Sequence, residues 1–186
     1  MSIRILALVG SLRSGSHNRR LAEVTVGLAP AGVDLHVQEG LGELPFYNED
    51  IDAEGLPLPA EVIRLRESAE NADGFLLFSP EYNGTMPAVL KNAIDWLSRP
   101  YGQGALRGKP VAVIGMALGR FGGEWAQDEA RKAAGIAGAA VLDGVKLSIP
   151  ASDARFAETH PADDADVRAQ LTEVVISLRD KAAVAA

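Results

Sequence analysis

The sequence predicts an α/β fold: five parallel strands in one doubly wound sheet, order 2-1-3-4-5, with helices on both faces. Three observations carry the parallel sheet covered on both faces, and the order is one of those expected of a doubly wound sheet. Short β-rich apolar runs alternate with segments of helical period along the chain, the pattern of a parallel sheet covered on both faces. The run Gly74-Phe75-Leu76-Leu77-Phe78-Ser79 is apolar throughout, as strands buried on both faces are. At 186 residues the chain suits a single domain, spanning 1–186, with a core that needs neither disulfide nor metal to fold.

The elements follow in order. Ile3 to Val9 is a β-rich run stopped by Gly10. Leu21 to Leu28 reads as helix, with Leu21, Val24, Thr25 and Leu28 on one face. Val33 to Val37 is the second strand. Pro45 to Pro59 holds prolines and acids and is expected to be irregular; long segments of this kind are often functional. Glu61 to Asn71 is helical, Gly74 to Ser79 the third strand, and Ala88 to Leu97 a helix ending before Pro100. Pro110 to Met116 is the fourth strand, Gly122 to Gly135 a helix, and Ala140 to Leu147 contains the fifth strand. Asp163 to Ala182 closes the chain as a helix, with Asp163, Asp164 and Asp166 favouring its N-terminus electrostatically. The tail from Ala182 to Ala186 is expected to fray.

Composition removes several classes of function. Lys and Arg number 18 against 25 Asp and Glu, a net charge of −7, so no basic footprint for nucleic acid or an anionic membrane is expected. No cysteine is present, which excludes thiolate nucleophiles, disulfides and thiolate metal sites. The first residues lack the long apolar stretch of a secretory signal. The longest nearly apolar run, Val111 to Leu118, is far short of the ~20 residues of a membrane span. The expectation is a soluble cytoplasmic protein. His17, His36 and His160 are far apart in sequence, with no carboxylate at metal-ligand spacing, so no metal site is expected.

Two loops carry chemistry. The first, Gly10-Ser11-Leu12-Arg13-Ser14-Gly15-Ser16-His17-Asn18, joins a buried strand to a helix N-terminus. Unpaired amides and the positive end of the helix dipole there suit a phosphate. Ser11, Ser14 and Ser16 add hydroxyls, and Arg13 a charge-assisted pair. Gly10 and Gly15 have Walker spacing, but Ser16 and His17 stand where Lys and Ser/Thr should be. Leu12 replaces the middle glycine of a dinucleotide fingerprint. A single terminal phosphate fits better. The same residues also suit a plain helix start, with Ser16 or Asn18 as N-cap.

The second loop, Ser79 to Pro87, is rich in turn formers, with Asn83-Gly84 as a strong turn signal. It can present amides and the Tyr82 face to a flat aromatic ligand, or serve as a rigid connector. A third candidate, Gly115 to Gly123, has four glycines, which allow backbone to lie against a ring edge or simply give a flexible loop. In the order 2-1-3-4-5, strands one and three flank the topological switch point, where flavodoxin-like proteins hold FMN.

At these residues the sequence resembles the NADPH-dependent FMN reductase family, and within it the chromate and quinone reductase type of flavodoxin-like flavoproteins. Ser11 to Asn18 matches the family's first loop. Pro80-Glu81-Tyr82-Asn83, followed by Leu90-Lys91-Asn92-Ala93-Ile94-Asp95-Trp96-Leu97-Ser98-Arg99, matches its second signature nearly letter for letter. Leu44 to Asp50 resembles the loop after strand two, and the likeness covers about residues 3–145. The resemblance implies bound FMN, with the phosphate on Ser11, Leu12, Arg13, Ser16, His17 and Asn18. It places the isoalloxazine against Pro80, Glu81, Tyr82, Asn83 and Gly84, and the backbone at Met116 and Ala117 on its pyrimidine side. Some members carry serines at those last two positions.

The implied activity is hydride transfer from NADPH or NADH to flavin N5 and on to a quinone, free flavin, azo compound or metal oxyanion. No catalytic side chain is implied, because the flavin carries the chemistry. The resemblance also implies a homodimer or homotetramer, with Trp96 and Leu97 near a subunit contact and the Pro45–Pro59 loop reaching toward a neighbour. Two other readings stand beside it: an FMN-holding electron carrier without NAD(P)H turnover, and a nucleotide-dependent hydrolase or dehydrogenase of related fold.

Overall fold

A computed structural model describes residues 2–185. Five parallel strands form one sheet in the order β2-β1-β3-β4-β5, as predicted. They are β1 (Ile3–Val9), β2 (Val33–Val37), β3 (Gly74–Ser79), β4 (Pro110–Met116) and β5 (Ala140–Ile149). The helices are α1 (His17–Gly27), α2 (Ala60–Glu70), α3 (Ala88–Leu97), α4 (Glu124–Ile136), α5 (Ser152–Arg155) and α6 (Ala165–Ala185).

Strand pleating sorts the core into two clusters. Leu6, Leu8, Phe75 and Leu77 point to the face covered by α2, α3 and α4. Ile5, Ala7, Val9, Leu76 and Phe78 point to the other face, covered by α1 and α6. Each fully buried Leu or Phe contributes about 1.5–3 kcal/mol. β3 is buried at every position, because it is central and packed on both sides. Lys109 lies where the start of β4 meets the end of α2, and its Nζ donates to Ala69 O (2.8 Å) and Glu70 O (3.0 Å). An ammonium on the last carbonyls of a helix completes that helix end.

The predicted elements fall where expected, with shifts at their ends. α1 begins at His17, four residues before Leu21, because the Ser16 side chain accepts from Arg19 N and caps the helix. α4 begins at Glu124, because Gly122 and Gly123 both take positive φ and cannot start a helix. β5 runs on to Ile149, interrupted by a bulge: it advances from Val141 to Lys146 while β4 advances from Val111 to Val113. The buried Arg131 of α4 fills that excursion, its guanidinium donating to Leu142 O (2.9 Å) and to Val145 O. Periodicity gives no sign of α5, which is a single turn. α6 continues through Ala185 where fraying from Ala182 was expected; Ala186 lies outside the described residues. Asp164 caps α6, its Oδ1 accepting from Val167 N at 3.0 Å.

Within this chain, the residues expected near a neighbouring subunit have partners of their own. Trp96 and Leu97 are wholly buried inside this chain, Trp96 Nε1 donating to Pro45 O at 2.8 Å, so neither side chain is available to a subunit contact. The irregular segment after β2 is tied to its own chain. Asn92 accepts from Tyr47 N (2.8 Å) and donates to Pro45 O (3.0 Å), and Arg66 holds Asp52 through two 2.8 Å bonds. Short 3-10 turns at Leu41–Glu43 and Glu49–Ile51 give it local order. Among the described residues no helix is long and apolar enough to cross a membrane.

Candidate functional site

β1, β3 and β4 are neighbours, so the loops after them meet at one end of the sheet. α1 leaves β1 onto one face and α3 leaves β3 onto the other, which opens a crevice between the two strand ends. The crevice floor is tight. A Cβ on Gly10 would lie 3.2 Å from Phe78 O, 3.2 Å from Pro80 Cδ and 3.3 Å from Leu90 Cβ, so only glycine fits there without movement.

The first loop turns back at Arg13, whose carbonyl accepts from Ser16 N at 3.0 Å. Among the described residues, no backbone amide from Ser11 to Gly15 donates to another backbone group. Ser16 is therefore both the N-cap and the end of a run of open amides at the positive pole of α1. Arg13 is exposed. The Leu12 side chain lies over Gly42, where a Cβ would sit 3.0 Å from both its methyl groups, and remains exposed on its other side.

Asn18 and His17 complete this edge. The Asn18 side chain is buried and its Nδ2 donates to Met116 O at 3.2 Å, joining α1 to the end of β4. Its Oδ1 is buried with no donor. His17 Nε2 lies 3.1 Å from Asp153 Oδ1 on α5, and its Nδ1 is buried without a partner. Buried polar atoms are normally paired, so two orphans at one strand end mark a place where a polar ligand belongs. The three histidines are separately engaged: His36 pairs with Asp34, and His160 accepts from Ala162 N.

The second loop is a two-residue reversal. Tyr82 and Thr85 exchange backbone bonds (Tyr82 N to Thr85 O 3.1 Å, Thr85 N to Tyr82 O 3.2 Å). Asn83 at φ 52° and Gly84 at φ 76° form its corner, the conformation Asn-Gly favours. Tyr82 projects half-exposed from this turn. Glu81 turns away to accept from Ala126 N in the first turn of α4 at 3.2 Å, so its carboxylate positions the loop.

The glycines of the third loop mostly serve packing. A Cβ on Gly115 would meet Gly122 O and Gly123 O at 2.9 Å, and one on Gly122 would meet Ile149 N at 2.7 Å. Only Gly119 borders open space. The protein already uses much of the backbone at Met116 and Ala117. Met116 O accepts from Asn18, Ala117 N donates to Ile149 O (3.3 Å), and Ala117 O accepts from Ser152 N (3.2 Å). Sequence reading passed over Asp153 and Trp125. Asp153 lies on a helix too short to have a period. Trp125 gave no signal until the fold placed its ring against Gly84, 3.4 Å from where a Cβ would be. A groove of about 680 Å³ between α3 and α4, lined by Lys91, Asp95, Tyr101, Glu129 and Ile136, lies elsewhere on the surface.

The sequence matches the model of the family described as NADPH-dependent FMN reductase over residues 3–154. The chain belongs to the NADPH-dependent FMN reductase family. It is therefore an oxidoreductase with FMN as cofactor and a reduced nicotinamide as donor. An NAD(P)H-dependent FMN reductase of Pseudomonas aeruginosa is 45% identical over 130 residues, 70% of this chain and 68% of its own length. A 2-hydroxy-1,4-benzoquinone reductase of Burkholderia is 41% identical over 131 residues, 70% of this chain and 69% of its own. In three dimensions, the flavoenzyme NAD(P)H:(acceptor) oxidoreductase FerB of Paracoccus denitrificans superposes with a TM-score of 0.85 at 33% identity, covering 98% of each chain. The residues at the crevice fit this family's cofactor. The amides from Ser11 to Gly15 and Arg13 suit a phosphate, and the orphaned acceptor of Asn18 suits a ligand hydroxyl.

Proposed function

We propose that this reductase passes electrons from NAD(P)H to quinones, in a crevice formed by the loops after β1, β3 and β4. The observation that carries the reading is the convergence there of an open-amide loop, orphaned polar atoms at Asn18 and His17, and the exposed Tyr82 turn. The quinone acceptor is supported by relatives named as quinone reductases. Bound FMN supplies a ring nitrogen that accepts hydride from the donor and returns it to the acceptor.

The chain's own residues then bind and orient. Ser11, Leu12, Ser16 and Arg13 take the phosphate, the first two through backbone amides. Asn18 fixes the polar chain behind the phosphate, and His17 is held in place by Asp153. Pro80 to Gly84 form a flat wall for the ring, stiffened by Glu81 on α4 and by the tight 83–84 corner. Met116 and Ala117 lie at the opposite edge with their backbone already tied to Asn18, Ile149 and Ser152, so that wall does not move. We place the protein in the cytoplasm, as its lack of cysteine suits a reducing compartment, and as a homodimer or homotetramer.

NADPH oxidation with a benzoquinone tests this reading. Protein loaded with FMN turns over quinone steadily, and cofactor-free protein does not. Arg13→Ala weakens FMN binding about tenfold or more, measured by flavin fluorescence titration. Unchanged affinity in that variant would remove Arg13 from the phosphate site.

A further inference from the structure

The loop between β4 and α4 carries a group that the flavin crevice does not use. The Arg120 guanidinium carbon lies 4.6 Å from the centroid of Phe121. Phe121 lies 5.6 Å from Trp125, with the rings tilted by 37°. Phe121 is 42% exposed and Trp125 55%, so the pair forms an open aromatic ledge. Arg120 is exposed too, and among the described residues it takes part in no ion pair, unlike Arg19, Arg64, Arg66, Arg155 and Arg179. The ledge borders the crevice directly, because Trp125 packs on Gly84 of the Tyr82 turn.

We infer that Arg120, Phe121 and Trp125 bind the 2′-phosphoadenosine end of the donor, so that the chain prefers NADPH to NADH. The inference rests on the reading that a reduced nicotinamide enters this crevice. NADPH and NADH differ by one phosphate on the adenosine ribose, about two negative charges near neutral pH. Recognising that end takes a flat surface for adenine and a planar fork of donors for the phosphate, and guanidinium supplies such a fork. The ledge offers both within one turn of chain. A protein of net charge −7 repels a polyanionic donor, so a local unpaired cation decides whether the extra phosphate is tolerated. Two carboxylates border the ledge, Glu81 accepting from Ala126 N and the exposed Glu124 in the first turn of α4, so the phosphate is held only through direct contact with Arg120. Stacking on Phe121 orients Arg120 beforehand and reduces the cost of ordering it.

FMN-loaded wild type and Arg120→Ala are compared with both donors, and separately titrated with 2′,5′-ADP and 5′-AMP while tryptophan emission is followed. Trp96 is wholly buried, so Trp125 is the reporter. Arg120→Ala raises the KM for NADPH about tenfold, equivalent to ~1.4 kcal/mol, and leaves that for NADH within about twofold. 2′,5′-ADP quenches emission in the wild type, 5′-AMP does so far less, and the quench is lost in Arg120→Ala and in Trp125→Phe. Equal changes for both donors, no change for either, or a quench that survives either substitution would overturn the inference. If neither donor were oxidised, the reading of the crevice would fail, and the nucleotide titration would still decide the ledge.

Discussion

Asn18 shows how much one residue does at this site. Its amide nitrogen holds Met116 O, closing the strand end, while its buried oxygen has no donor. The glycines of the third loop divide in the same way between packing and openness. Gly122, at φ 61° with Ile149 N 2.7 Å from a would-be Cβ, has no room for a side chain, whereas Gly119 has nothing within 4 Å. Gly122→Ala therefore costs ~2–3 kcal/mol in chemical denaturation, and Gly119→Ala stays within ~0.5 kcal/mol. Equal costs would show that the third loop does not pack as described. The sequence revealed these glycines as a group. It did not reveal which ones pack, because that depends on the bulged register of β5 beside them.

Among the elements, strands were the most legible, since Ile3–Val9, Val33–Val37, Gly74–Ser79 and Pro110–Met116 are bounded by their own apolar runs. Helix starts were less so, because a cap such as Ser16 looks like any polar loop residue until its hydroxyl finds Arg19 N. The segment from Pro150 to Ala162 was opaque: its order comes from pairs between separate elements such as Arg155–Asp164 (2.7 Å) and His17–Asp153, which no local period announces. Asp164 also carries a pH prediction. The bond from Arg155 holds its carboxyl below the usual carboxylate range, helped by Val167 N, against the opposing effect of burial. A depressed folded value adds stability above the unfolded value and loses it as pH falls through the folded one. Asp164→Ala lowers stability at neutral pH by about 1 kcal/mol, or roughly 2–4 °C. The gap to wild type closes as pH drops below about 4. A gap independent of pH would mean that the carboxylate's charge plays no part.

At the scale of the molecule, the topology brings together what the sequence keeps apart. Residues 11–18, 80–84 and 116–125 meet only because β1, β3 and β4 are adjacent and their helices leave to opposite faces. That the sheet is parallel was readable from the alternation of elements; the order that makes the first two loops meet was not, because the same alternation suits other doubly wound orders. The position of α4, which brings Trp125 to the turn and Glu81 to Ala126 N, was not, because it depends on how tightly the third loop folds against β5. The most direct test of the account is to load the protein with FMN, exclude oxygen and add NADPH. The account predicts that the visible flavin absorption is lost and returns when quinone is added. Absorption that persisted in FMN-loaded protein after NADPH was added would contradict it, leaving a protein that holds the flavin without accepting electrons from a nicotinamide.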